Sequence, residues 1–572
     1  MNYFQTKMKK TEKIQLFDNK LNPINENDLP NHINDFFNSV GRTNNINFAS
    51  TSGPHPLPTL VFRPVTLEEI IELIEKINTK KNSSVPNLPT LLLKDFFLTC
   101  PNAIAFIINQ CILTNNVPSD WKSATIIPIK KTPNCNTVNE LRPISLLPLP
   151  SKILEKIIYK QCIKHLTDNQ YLDPNQFGFQ KNSSTITAIS EITDDIYESI
   201  EKKQPTIAAF IDFQKAFDKL NHNILLKKLK FFGFTDSAIK FFKNYLSDRK
   251  QITLVNNVKS NSLPITHGVP QGSNVGPLLF LLYINDIGYS IKKCRFKLFA
   301  DDTVIYCNSK DINTCKKHIE EDLNNINEWC INNNMQINSK KTKIMLFGNR
   351  NIVKKNKNVF IRFNNEDLQT VSSFKYLGFI LDSVLSHNQH TNIIIRNTCH
   401  KIFQLRRINP YLNEKTSLMI YKSFILPIIE YGNVIYRTAN KKNLEKIQRV
   451  QNQALKLCLN LDKDTPTALV HKAANLNTLE ERREKATIKF MLTHTKMKKF
   501  LDQNDYNINR RSTTVPKLNI PSYKSTLAKK AISYSGSKLW NNLKYEIKEI
   551  TDKKKFGSKI ASIYRNKIKN YI

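Results

Sequence analysis

The sequence holds no cysteine pair at C-x-x-C spacing. Its ten cysteines are scattered over 572 residues, and no Cys/His group stands at zinc-knuckle spacing. Neither a disulfide framework nor a zinc site is readable, and reduced thiols in an intracellular setting are the expectation. No apolar run approaches the length of a membrane span, and the opening Met-Asn-Tyr-Phe-Gln-Thr-Lys has no signal-peptide core. A soluble protein of nucleus and cytoplasm with no membrane partner is therefore expected. Acidic residues are scarce: 48 Asp and Glu face 85 Lys and Arg, leaving a formal charge of +37. That excess suits a polyphosphate partner such as nucleic acid, although the Lys, Asn and Ile richness of an A/T-heavy coding sequence accounts for part of it. Long lysine blocks are absent too; Lys553, Lys554 and Lys555 form the longest run. The length excludes a single small module.

Residues 1–60 read as a polar N-terminal extension with one short helix near 33–40 and a proline-rich linker at Pro54, Pro56 and Pro58. Thr66 and Glu69 form a capping box ahead of helically spaced apolar residues, so regular structure is expected from there. A strand is expected over 121–131, ending in Lys130 and Lys131, with a second strand after the loop at Leu141-Arg142-Pro143. Ser151 is expected to cap a helix whose apolar face is Ile153, Leu154, Ile157, Ile158 and Cys162.

Three stretches carry chemistry. The strand at 206–213 is nearly all apolar, with Asp212 close to its end, where a charge is costly unless paired or metal-bound. Asp218, six residues on, is expected to cap the next helix. Over 267–287 a Gly/Pro loop opens a helix apolar nearly all round, which predicts a buried helix and a backbone able to approach a ligand closely. Two strand-forming runs at 296–307 meet at Asp301 and Asp302, expected together at a hairpin tip. Like charges side by side without a turn glycine invite a divalent cation, and magnesium favours one or two carboxylates plus substrate phosphates. From about residue 385 the pattern is helical and basic, and beyond about 500 only Tyr534 and Trp540 suggest a small core.

The ordered set Phe-Ile-Asp-Phe-Gln-Lys-Ala-Phe-Asp (210–218), Gly-Val-Pro-Gln-Gly-Ser (268–273), Phe-Ala-Asp-Asp (299–302), Asn-Ser-Lys-Lys-Thr (338–342) and Tyr-Leu-Gly (376–378) resembles the reverse transcriptases of non-LTR retrotransposons of the jockey type. Arg142-Pro143-Ile144-Ser145 and Gln176-Phe177-Gly178-Phe179 match flanking motifs. The resemblance implies an α+β right-hand polymerase fold. Fingers and palm would occupy 61–384, with a core at about 111–382, a helical thumb and connection 385–500, and a C-terminal region of unknown role 501–572. It implies two Mg2+ ions, or Mn2+, held by Asp212, Phe213, Asp301 and Asp302. Template RNA, a DNA primer and deoxynucleoside triphosphates would be its partners. It also implies that Lys130 and Arg142 clamp the triphosphate, that Gln271 and Gly272 meet the incoming nucleotide, that Lys341 donates a proton to pyrophosphate, and that Phe217 blocks a ribose 2′-hydroxyl.

Three departures stand out: 83–87 reads Ser-Ser-Val-Pro-Asn where the family has Gly-x-Asp, Leu141 replaces an aromatic, and Gln180 stands where a basic residue is common. The chain starts near the expected junction with an endonuclease, so nicking activity is expected to be supplied elsewhere or lost. An RNA-templated RNA polymerase and an inactive nucleic-acid-binding protein on the same fold are the rival expectations.

Overall fold

The computed structural model describes residues 13–17, 23–40, 57, 59–79, 88–356, 359–494, 517–550 and 552–569. Pro54, Pro56 and Pro58 and the stretch 83–87 lie outside the described residues. The chain is mixed helix and sheet and divides into two compact units. The first takes 1–179, 212–292 and 322–338, and the second 180–211, 293–321 and 339–572.

In the first unit, Ser123–Lys130 buries Ala124, Ile126 and Pro128 in strict alternation, the signature of a strand packed on one face. It pairs antiparallel with Leu141–Leu146 and parallel with Arg249–Val255. The latter strand also pairs with Val258–Lys259 and Leu263–Ile265. The N-terminal helix runs Leu29–Ser39 and is tied to this sheet by the buried Asn34. Its Oδ1 accepts from Gln251 Nε2 and Thr253 Oγ1, both at 3.0 Å. What read as an extension is thus partly built into the first unit.

The Thr66 capping box is complete: Glu69 N donates to Thr66 Oγ1 at 3.3 Å and Thr66 N to Glu69 Oε2 at 3.2 Å. Ser151 is not a cap. The helix is Leu149–Asp168 with Pro148 as its cap, three residues earlier than expected, because Pro150 fits its first turn, where no amide is needed. Ser151 is instead buried inside it, and the predicted apolar face is buried as read. The helix Gly276–Ile284 is buried at every residue except Pro277.

In the second unit, Thr206–Ile211 is the middle strand of five and all six of its residues are buried. It is flanked antiparallel by Lys343–Phe347 and Asp302–Asn308; Gln369–Thr370 and Arg295–Phe299 form the edges. The helix Thr185–Glu201 covers one face, with Ile189, Ile192 and Ile196 against Ala208, Phe210 and Phe347. A second hairpin, Ser373–Tyr376 with Phe379–Asp382, turns through Leu377 and Gly378, both at positive φ. Helices Asn388–Ile408, Lys441–Cys458 and Leu479–His494 follow, as the basic helical pattern predicted.

The C-terminal residues join this second unit. Trp540, Phe556 and Ile560 form a small core with Met491 of the Leu479–His494 helix. Tyr534 does not belong to it and packs on the larger core. The docking is polar as well: Asp194 accepts from Ile532 N at 2.6 Å and Ser533 N at 2.9 Å, a carboxylate seated on the start of the helix Ile532–Asn541. Glu201 accepts likewise from Lys524 N and Ser525 N.

Candidate active site

The second unit presents the carboxylate hairpin. Its two-residue turn is Ala300-Asp301, and Asp302 is already in the strand, opposite Phe299. Both acids were expected at the tip; only Asp301 is there. Ala300 adopts φ 56°, a conformation that disfavours a side chain by roughly 1–2 kcal/mol, so the tip is held against local preference. Asp301 is half-buried and Asp302 exposed. The middle strand meets this hairpin with Ile211 opposite Thr303 as the last pair. In sequence, Asp212 is the residue after Ile211, and Asp302 the residue before Thr303. Tyr376, of the Tyr-Leu-Gly motif, is buried, and its phenol is pushed up by that burial and by the Asp302 charge. Lys341 is exposed, two residues before the Lys343–Phe347 strand.

The first unit presents the glycine loop. Gly268 N donates to Leu220 O at 2.7 Å and Val269 N to Phe217 O at 3.1 Å, so the loop is laced to the turn that follows Asp212. Gly268 has φ +74°, and a Cβ there would lie 2.8 Å from Asp218 O. A Cβ on Gly272 would lie 2.5 Å from Ser145 O, while Ser145 N donates to Gln271 O at 2.8 Å. Both glycines are therefore required by close backbone approach.

Below the loop, Glu155 is fully buried and accepts from Asn274 N and Tyr245 Oη, each at 2.7 Å. Burial pushes the Glu155 carboxyl up, against the pull of those two donors. His222 Nε2 lies 2.7 Å from Gly268 O, and burial lowers this imidazole to about 4. Phe217 stacks on buried Phe280 with ring centroids 4.3 Å apart.

Asp218 is not a helix cap. Asn221 caps the helix His222–Phe231, accepting from Asn223 N and Ile224 N. Asp218 instead accepts from Gln271 Nε2 at 2.8 Å, and both line a solvent-open cleft with His267, Gly268 and Ser145. Desolvation holds the Asp218 carboxyl above its ordinary range, opposed by Gln271, Lys215 and Lys131.

The cations expected to act together are set apart by register. Lys130 stands opposite Leu141 and Arg142 opposite Ile129, so the two face opposite sides of the ribbon. Arg142 is exposed and Lys130 half-buried. Phe213 is buried; Asn338 N donates to Asp212 O at 2.8 Å and Gln214 N to Gln336 O at 2.9 Å, and neither bond engages the Phe213 carbonyl.

Among the described residues, no three His, Cys, Asp or Glu side chains form a ready metal cage. The donors near the hairpin are carboxylate oxygens, the hard ligand type that magnesium takes in ones and twos with substrate oxygens. Cysteine does not compete there. Cys307 Sγ lies 3.5 Å from His318 Nδ1, and Cys294 Sγ 3.5 Å from His318 O, an approach of residues that sequence spacing did not show; all ten cysteines are free thiols. No single helix among the described residues is long and apolar enough to cross a membrane.

Residues 129–381 match the family model described as reverse transcriptase (RNA-dependent DNA polymerase). The chain is 31% identical over 412 residues to the RNA-directed DNA polymerase from mobile element jockey of Drosophila melanogaster, covering 70% of this chain and 44% of that protein. It is 29% identical over 446 residues to a probable RNA-directed DNA polymerase from transposon BS of the same fly, covering 76% and 49%. A jockey polymerase of Drosophila funebris is 28% identical over 407 residues, covering 69% and 44%. The chain thus spans about half the length of the curated relatives it matches.

Proposed function

Because this chain carries a reverse-transcriptase domain of the non-LTR retrotransposon type, we propose that it copies RNA into DNA, extending a DNA primer with deoxynucleoside triphosphates. The carrying observation is the register of the second unit's sheet. Its last pair, Ile211 with Thr303, sets the strand that runs into Asp212 beside the strand that starts at Asp302. We read this sheet as the palm, the ribbon Ser123–Lys130 with Leu141–Leu146 as fingers, and the helices from Asn388 onward as the thumb.

In this reading Asp212, Asp301 and Asp302 hold two divalent ions with substrate oxygens, aided by the Phe213 carbonyl. Bound ions would supply activation of the primer 3′-hydroxyl and neutralisation of charge on the phosphates and leaving pyrophosphate. The chain's own residues do the rest. Asp301, on its strained turn, is oriented before substrate arrives. Gln271 and Gly272 border the nucleotide, Phe217 bars the 2′-hydroxyl with a ring backed by Phe280, and Lys341 donates to pyrophosphate. Lys130 and Arg142 face opposite sides of one ribbon, so the triphosphate reaches one of them directly, and the other acts only if the ribbon twists or closes.

Purified protein on a primed homopolymer RNA with magnesium tests the proposal. Incorporation of deoxynucleotides in large excess over ribonucleotides is expected. Preference for ribonucleotides would favour an RNA polymerase, and binding without incorporation an inactive protein.

A further inference from the structure

The hydrogen bond between Asp218 and Gln271 joins two motifs 53 residues apart and lies on the wall of the first unit's cleft. As the acceptor in this bond, the Asp218 carboxylate oxygen takes the amino end of the Gln271 amide. With Nε2 committed at 2.8 Å, the Gln271 carbonyl oxygen is turned away from Asp218. The backbone permits little slack between the two residues. Gln271 O is held by Ser145 N, and Gly268 leaves no room for a Cβ against Asp218 O and Phe217 O.

We propose that Asp218 is a positioning residue: it fixes the flip of the Gln271 amide, so that Gln271 offers an acceptor oxygen to a hydrogen-bond donor of the incoming deoxynucleotide. This rests on the assignment of Gln271 to the nucleotide made above. It gives Asp218 a role distinct from metal binding and from helix capping. Asp218 acts only through Gln271.

The test is steady-state incorporation of dTTP on primed poly(rA) by the full chain, with KM and kcat separated and thermal stability measured alongside. Gln271→Ala should raise KM about tenfold. Asp218→Leu, similar in size but without an acceptor, should raise KM by a comparable factor, and the double variant should be no worse than Gln271→Ala alone, since both changes remove the same interaction. Asp218→Glu keeps a carboxylate that only accepts and should restore KM to within about threefold of the wild type, whereas Asp218→Asn, whose amide also donates, should restore it only in part. An unchanged KM in Asp218→Leu beside a raised KM in Gln271→Ala would overturn the inference alone. Additive losses, or a fall in kcat together with a fall in melting temperature and no rescue by Glu, would make Asp218 a structural residue and overturn it too. An unchanged KM in Gln271→Ala would remove the nucleotide assignment of Gln271, and the inference with it.

Discussion

The carboxylate hairpin and the glycine loop reach order by opposite routes. The hairpin is fixed by a backbone ladder: Asp302 pairs with Phe299, and Thr303 with both Leu298 and Ile211, so its position follows from strand register. The loop has no ladder of its own. It is held by backbone approach at Gly268 and Gly272 and by the buried carboxylate of Glu155 beneath it, which accepts from Asn274 N. Ladder positions tolerate a change of side chain without losing geometry, whereas a loop held by carboxylates loses geometry when the carboxylate goes. Substitutions in the two regions should therefore separate chemistry from folding in different ways.

The largest effect belongs to the hairpin. Asp212→Asn and Asp301→Asn should each lower polymerisation by at least about a hundredfold, the loss of a preorganised electrostatic contribution, with melting temperature unchanged. Phe217→Ala comes next. Removing the ring should admit ribonucleotides by about tenfold in relative kcat/KM, equivalent to about 1.4 kcal/mol in transition-state energy. Equal loss on both nucleotide classes, with a lowered melting temperature, would show that the stack on Phe280 is the ring's whole role.

Glu155→Gln sharpens the comparison from the loop side. It should destabilise the fold by about 1–3 kcal/mol, because an amide leaves one acceptor oxygen for two buried donors, Asn274 N and Tyr245 Oη, and it should slow incorporation through the loop. Its pH dependence has a definite sign. The folded carboxyl is raised by burial, so its share of stability is full below the unfolded value near 4.5 and is lost as pH rises through the higher folded value. Melting curves from acid to neutral pH should show that decline in the wild type and a flatter profile in the variant. The smallest effects fall on the exposed basic residues Lys401, Arg406, Arg407, Lys441 and Arg449. Replacing any one by Gln should weaken template–primer binding modestly and make the salt dependence shallower, by just under one in slope for each phosphate that the residue neutralised.

The same contrast explains what the sequence disclosed. Continuous apolar runs announce Thr206–Ile211 and Gly276–Ile284, and the reciprocal Thr66 and Glu69 pair announces its helix start, because these signals are local. The places of the acids at 212, 301 and 302 beside apolar strands were legible for the same reason: Asp212 follows one strand, Asp301 lies in the turn and Asp302 begins the next. Where two local signals compete, sequence reasoning chose the wrong one. Asn221 caps the helix that Asp218 was expected to cap, and Pro150 starts the helix before Ser151. Facing was illegible as well, since a single step of register puts Lys130 and Arg142 on opposite sides of their ribbon. Hydrogen bonds over 53 and 119 residues, Gln271 with Asp218 and Asn274 with Glu155, leave no periodic trace. A carboxylate at 155 next to the apolar Leu154 was the one hint the sequence held.

The most direct measurement is single-turnover extension of an RNA-templated DNA primer at saturating deoxynucleotide by wild type and Asp301→Asn, with template–primer affinity measured on the same proteins. If the strained hairpin tip carries the chemistry, the rate falls at least about a hundredfold while affinity stays within about twofold. Unchanged rate, or rate and affinity falling together, would contradict it.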